Sequence, residues 1–422
     1  MSFSSVAHFI RLLDDEIETC AMPNIVVITE SGPRALTNAA FLLGAYMLLK
    51  LDRKPSDILS CFSAMPKSSF RHYRDATYSE SDFDLRLIDC WGGLQRGKEL
   101  GWLNHPTQSD PNWWGGIDIE EYEHYDDPLN GDLHQVVPMK FVAFRGPRDM
   151  KTRGTKLYSD DEVRGTRDFK PHYYVDVFHE LGVTDVVRLN ENEYDKRAFT
   201  VAGINHHDLY FDDCTAPPSD IVDRFFRIAA AAKGLVAVHC KAGLGRTGTL
   251  IARCMMRNHG FTAREAMGWL RVMRPGSVIG EQQHYLCEME RVMAAPRCGP
   301  PARMLRRLSL LSWVASSCTR LDRIPSTPSS PKTTCIAALR PAASPAVLAA
   351  QVSEGMRTRG SALSARTLGG KSLRSVHTRP GGGAVVTFCG LVVEAEQGEF
   401  LSGPGAGGAG KRLPILRRGL SF

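Results

Sequence analysis

Short β-branched, apolar blocks followed by longer amphipathic runs organise the first 295 residues. Asp185-Val186-Val187-Arg188-Leu189, residues 207–211 and Leu235-Val236-Ala237-Val238-His239 read as strands. The last is apolar almost throughout, the pattern of a buried strand. Between and after them, residues 219–233, 247–259 and 262–273 carry apolar positions at helical spacing. The third helix opens with Thr262 and Glu265 in capping-box spacing and closes at Arg274-Pro275-Gly276.

An earlier stretch repeats this rhythm. Residues 24–58 line up with 235–266 as a short strand, a glycine-containing turn and a long apolar helix, and residues 39–58 lie on 247–266 without a gap. The earlier turn, Thr29-Glu30-Ser31-Gly32-Pro33-Arg34, has no cysteine, and Asn38 falls at the position of Arg246. Whatever the later copy does with those two residues, the earlier one lacks the means.

From residue 296 the pattern dissolves into Pro, Gly, Ser, Ala and Arg. Such a composition buries too little apolar surface to offset the entropy of ordering, so 296–422 is expected to be disordered, with 308–315 and 384–393 as apolar exceptions. The tail holds 18 Lys and Arg against 5 Asp and Glu, leaving 34 against 41 in the rest. An acidic body with a basic extension argues against a nucleic-acid-binding core. Eleven cysteines without a CxxC pair exclude a zinc ribbon or thioredoxin motif and fit reduced thiols. No secretory leader is expected, and the longest apolar run, residues 39–49, is too short to span a bilayer. Neither a cofactor nor a metal is implied.

The chemistry concentrates in His239-Cys240-Lys241-Ala242-Gly243-Leu244-Gly245-Arg246-Thr247-Gly248. A strand ending in cysteine, a glycine-rich turn, an arginine and a helix start assemble a phosphate cradle, because glycines let backbone N–H groups turn inward and the helix contributes its positive end. Arg246 can offer a planar fork to phosphate oxygens. The same donors favour thiolate over thiol, and the thiolate is the nucleophile. Attack of Cys240 on phosphorus requires an acid for the leaving oxygen and a base for water. Asp213, preferred over its neighbour Asp212, sits on the strand-to-helix loop ahead of the cysteine strand and can fill both roles. Thr247 has a hydroxyl for the sulfur, Gln282 and Gln283 can orient water, and His239 can tune the thiolate by hydrogen bonding.

These residues resemble the protein tyrosine phosphatase superfamily, and HCKAGLGRTG closely resembles the cell-division-cycle-14 family of dual-specificity phosphatases. The likeness extends to residues 118–131 (DIEEYEHYDDPLNG), 186–189 (VVRL), 207–213 (HDLYFDD) and 274–280 (RPGSVIG), covering roughly 24–294. It implies an α/β fold of tandem dual-specificity-phosphatase-like domains, each a central mixed sheet flanked by helices, ahead of the disordered tail. The boundaries expected are an inactive domain at 1–135, a linker at 136–165, a catalytic domain at 166–295 and the tail at 296–422. Carried over, Cys240 is the nucleophile, Arg246 the phosphate clamp and Asp213 the general acid. Lys241, Ala242, Gly243, Leu244, Gly245, Thr247 and Gln283 contact the substrate, and Asp126 and Asp132 receive a basic substrate side chain. Residues 1–23 and 110–116 depart from the family pattern, and Leu129 stands where an acid is common.

The resemblance further implies phosphoprotein substrates with phosphoserine-proline and a downstream basic residue, opposition to cyclin-dependent kinases in mitotic exit and cytokinesis, and a nuclear and cytoplasmic protein associated with spindle pole, centrosome or basal body. No nucleic acid and no membrane span are required. Two other classes compete: a phosphoinositide phosphatase, for which Lys241 speaks and Leu244 does not, and a non-catalytic phosphoprotein scaffold. In the tail, Arg306-Arg307-Leu308-Ser309 fits a basophilic kinase, and Thr327-Pro328, Ser330-Pro331 and Ser344-Pro345 fit proline-directed ones.

Overall fold

A computed structural model describes residues 1–19, 25–77, 81–107, 110–150, 156–161 and 166–294, and three strands at 375–378, 384–388 and 391–396. The first half is mainly helical: α1 (Phe3–Thr19), β1 (Ile25–Glu30), α2 (Pro33–Leu49), α3 (Pro55–Cys61), α4 (Leu87–Glu99) and α5 (Ile119–Asp126). Pro33 and Pro55 open α2 and α3, where a missing N–H costs nothing, and Asp118 caps α5 by accepting from Glu120 and Glu121. The second half alternates: β2 (Leu133–Val137), β3 (Phe141–Arg145), β4 (Tyr158–Asp161), β5 (Thr166–Phe169), α6 (Pro171–Leu181), β6 (Val183–Arg188), α7 (Arg197–Thr200), β7 (Asn205–Asp208), α8 (Ser219–Ala231), β8 (Leu235–Cys240), α9 (Gly245–His259), α10 (Ala263–Met273) and α11 (Glu281–Ala294). The capping box at Thr262 and Glu265 forms as the spacing suggests.

One five-stranded sheet, ordered β2-β3-β8-β6-β7, carries the second half. β3, β8, β6 and β7 run parallel, and β2 returns antiparallel to β3. All six residues of β8 are buried, as a central strand covered on both faces requires. Its C-terminal end carries Cys240, so the turn into α9 sits at the carboxyl edge of the parallel strands, where open α/β sheets gather ligands.

The β2–β3 hairpin falls across the boundary expected at residue 135. A linker at 136–165 and a first domain ending at 135 would cut through the β2–β3 hairpin, yet Phe141 to Arg145 pair in register with Val236 to Cys240. The strand read at 207–211 sits earlier, as β7 at Asn205–Asp208.

One apolar cluster runs from Phe3 in α1 to Leu286 in α11 and joins both halves, and a second gathers Phe144, Phe169, Tyr174 and Phe178 on the other side of the sheet strands β3 and β6. α4 and α10 meet almost backbone to backbone: a Cβ on Gly93 would lie 2.5 Å from the Glu265 carbonyl, and one on Gly268 would lie 2.5 Å from that of Asp89. The buried Trp269 indole N–H reaches the Val136 carbonyl at 2.7 Å, and the Tyr122 hydroxyl donates to Met273 O at 2.8 Å. Between residues 296 and 422 the described parts are β9 (Ser375–Thr378), β10 (Ala384–Phe388) and β11 (Leu391–Glu396), with β11 parallel to β1 and antiparallel to β10, which pairs with β9. The apolar run 384–393 supplies β10 and the start of β11. The kinase-site motifs between 306 and 345 lie outside the described residues.

Candidate active site

Cys240 ends β8 with its side chain almost fully enclosed. Behind it His239, wholly buried, donates from Nδ1 to the Cys240 carbonyl at 2.9 Å, so Nε2 accepts from the Tyr194 hydroxyl at 2.8 Å. Tyr194 in turn accepts from His206 Nε2 at 2.8 Å. Burial pushes the His239 imidazole down to about 3, against the opposing pull of the Cys240 carbonyl, and burial likewise lowers His206 to about 4. Both rings are neutral at ordinary pH. His239 thus fixes the peptide of the nucleophile, and the chain of hydrogen bonds runs to the backbone and not to the sulfur.

The turn that follows is shaped by crowding. Gly243 adopts φ +69°, and a Cβ there would fall 2.1 Å from the Phe144 carbonyl, so no other residue fits. Among the described residues no acceptor is found for the amide N–H groups of Lys241 through Arg246. Six donors at the start of α9 are what an anion seat needs. Arg246 lies across them, fully buried, with Nη1 donating to Phe211 O at 3.1 Å. Its Nε is 3.2 Å from Asp213 Oδ1, but the N–H is not aimed at that oxygen and has no hydrogen-bond partner among the described residues. The distance marks a Coulombic contact; the donor itself remains for a ligand. Thr247 Oγ1, equally buried, is likewise without a partner there.

Asp213 reaches the cradle from the loop between β7 and α8. Its Oδ1 accepts the Cys214 N–H at 3.0 Å, and its side chain is largely exposed. Asp212 points elsewhere, accepting from the Tyr210 hydroxyl at 2.8 Å. Arg246 and Asp213 thus meet at the turn that follows Cys240, with Lys241 and Ala242 exposed and Leu244 half-buried.

Other expected contacts fall out differently. Gln283 is buried away in a network of its own: it accepts from Arg271 and donates to Asp75 Oδ2 and Gly280 O, both at 3.2 Å. Gln282 is the one that faces the site, donating from Nε2 to Thr215 O at 3.1 Å while its Oε1 lies 2.9 Å from where a Cβ on Gly245 would stand. Asp126 and Asp132 each have a basic partner already, His134 Nε2 at 2.8 Å and Arg274 Nη2 at 2.8 Å. Burial and the Arg274 charge keep His134 below its usual range despite Asp126, and Asp126, which burial alone would raise, is drawn low by His134 and Arg274.

The sequence reading missed three supports. Arg271 donates to Ser277 O and Val278 O at 3.0 Å each and to Tyr73 O. Asp75 accepts the Gly280 N–H at 2.7 Å. Val278, a β-branched residue, is held at φ +63°. The signal available was the unusual string RPGSVIG, which had no chemistry of its own to explain it.

Two family models match the chain: "Dual specificity protein phosphatase, N-terminal half" over residues 1–97, and "Polymorphic toxin system, DSP-PTPase phosphatase" over 162–260. The first begins at residue 1, so residues 1–23 fall within the pattern they were expected to leave; α1 earns its place by burying Phe3, Val6, Ala7 and Ile10. Among similar proteins, human dual specificity protein phosphatase CDC14C is 40% identical over 270 residues, covering 64% of this chain and 56% of that one. Human CDC14A is 38% identical over 268 residues, with 63% and 42% covered, and tyrosine-protein phosphatase cdc-14 of Caenorhabditis elegans is 40% identical over 254, with 60% and 33% covered. The chain thus spans about half or less of these relatives. A solved structure, Tk-PTP in the active form, is 20% identical and matches 38% of this chain and 97% of that one at TM-score 0.29. Among the described residues no helix is long and apolar enough to cross a membrane.

Proposed function

We propose that this chain, similar to CDC14 dual-specificity phosphatases over 64% of its length, hydrolyses phosphoserine, phosphothreonine and phosphotyrosine in proteins through a phosphocysteine on Cys240. The observation that carries this is the buried Arg246 Nε, without a hydrogen-bond partner among the described residues, beside six amides that find no acceptor among them at the Cys240 turn. Those donors match the equatorial oxygens of a phosphoryl group, whose charge grows as it transfers. Cys240 Sγ attacks phosphorus, the bond to the protein oxygen breaks, and Asp213 hands that oxygen its proton. In the second step the Asp213 carboxylate takes a proton from water, the water oxygen attacks phosphorus, and the S–P bond breaks to return the thiolate and free phosphate.

Substrates with phosphoserine before proline and a basic residue downstream, reversal of cyclin-dependent phosphorylation in mitotic exit and cytokinesis, and residence in nucleus and cytoplasm with spindle pole, centrosome or basal body follow from the family likeness of residues 118–131 and 274–280. With Asp126 and Asp132 paired internally, the basic side chain falls to other carboxylates of residues 120–127. Kinases acting on the basic tail are the proposed regulators. Purified protein should dephosphorylate a phosphoserine-proline-x-lysine peptide, and Cys240→Ser should bind that peptide without turnover; no turnover by the wild type and no binding by the variant would end the proposal. Competing rates on phosphoinositide and peptide decide the lipid alternative, against which Leu244 stands where a second basic residue would help.

A further inference from the structure

The carbonyls of the cradle are as fully engaged as its amides are not. Cys240 O accepts from His239 Nδ1 at 2.9 Å, Lys241 O from the Gly146 N–H at 3.1 Å, and Leu244 O from the N–H groups of Gly248 at 2.9 Å and Val278 at 3.3 Å. The two between them, Ala242 O and Gly243 O, accept from one side chain, Arg274, through Nη2 at 3.0 Å and Nε at 2.9 Å. In a planar trans peptide the carbonyl of one residue and the N–H of the next point in opposite directions. Five carbonyls drawn outward therefore turn five N–H groups inward.

Arg274 is itself held. It is almost fully buried at the end of α10, with Nη1 on His134 Nδ1 at 2.9 Å and Nη2 2.8 Å from Asp132 Oδ1. Because His134 accepts at Nδ1, it carries its proton at Nε2 and donates it to Asp126 at 2.8 Å. A chain of contacts thus runs from α5 and β2 through one guanidinium to the middle of the cradle.

We propose that Arg274 is a positioning residue that locks the 242 and 243 carbonyls outward, so that the amides of Gly243 and Leu244 stay available to an oxyanion, with His134 and Asp132 fixing its reach. This rests on the reading of the turn as a phosphate seat. Without the anchor either peptide can rotate and present its oxygen inward, which removes a donor and adds a repulsive dipole at once.

The test measures binding of tungstate, a phosphate mimic, to the full chain by calorimetry, beside circular dichroism and thermal unfolding. Arg274→Gln and Arg274→Lys are expected to weaken tungstate roughly ten- to hundredfold, the scale of two lost charge-assisted hydrogen bonds. Lysine keeps the charge and the buried stem, so a folded Arg274→Lys that binds tungstate as tightly as wild type overturns the proposal. Should both variants aggregate, His134→Gln leaves the guanidinium in place; it is expected to weaken tungstate about threefold, and unchanged affinity overturns the proposal. Wild type that binds tungstate but turns over no phosphoprotein sinks the functional reading and leaves Arg274 to the tungstate comparison. Wild type that binds no tungstate sinks the Arg274 assignment as well.

Discussion

Asp213 and Gln282 show how much single residues depend on their neighbours for a role. Asp213 beside Arg246, and Asp212 tied to Tyr210, predict different kinetics. Asp213→Asn should lower kcat on a poor leaving group by about 10²- to 10⁴-fold, the usual worth of a general acid, while Asp212→Asn stays near wild type. Equal losses in a steady-state comparison would reassign the acid. For the glutamines, Gln283→Ala strands an Arg271 donor and an Asp75 acceptor in the interior and should cost about 1–3 kcal/mol in denaturant unfolding with modest kinetic change. Gln282→Ala should show the reverse, a drop in kcat at near-native stability. The sequence offered both Gln282 and Gln283 and set Gln283 at the substrate, but adjacent residues at a helix start differ by about 100° in facing. Which one meets the cradle is decided by the preceding turn, where Val278 sits at positive φ. Nothing in the identity of a valine announces that. Cys240 and Arg246 were legible because their spacing is itself the mechanism.

At the scale of elements, strand and helix periods gave β8, buried at all six residues, and the helices α9 and α2, each following a short strand. The β2–β3 hairpin escaped notice: each strand has five residues and is buried on nearly every position, so neither period shows, and an acidic run precedes them. The α4–α10 contact was equally silent, because glycines inside helices read as mere weakness until a partner helix is seen against them. Gly268→Ala and Gly93→Ala are predicted to destabilise by about 1–3 kcal/mol through forced separation of the two backbones. Gly92→Ala, whose Cβ would meet only the movable Glu265 side chain at 3.0 Å, should cost less. Thermal midpoints of the three variants rank the contacts, and equal midpoints would contradict the close crossing.

The whole molecule should lose stability in mild acid. His239 and His206 are neutral inside, lowered to about 3 and about 4, and His134 is lowered as well. The unfolded chain takes up protons at those rings near pH 6.5 while the folded one does not, so their contribution is complete above pH 6.5 and declines below it, down toward pH 3–4. Between pH 6.5 and 5 the first two together should remove on the order of 2–4 kcal/mol. Urea midpoints followed by fluorescence of the buried Trp91, Trp114 and Trp269 give the slope; a flat profile would mean that these rings are already charged.

Tyr73 and Asp75 lie in the half without a nucleophile, yet they brace the segment of 271–283 that shapes the reacting end. A genetic selection for loss of activity should therefore return alleles at Tyr73 and Asp75 in full-length, soluble protein. A fragment starting at residue 166 would leave β8 with a raw edge, and complementing it in trans with residues 1–150 would restore more than any change near the cysteine.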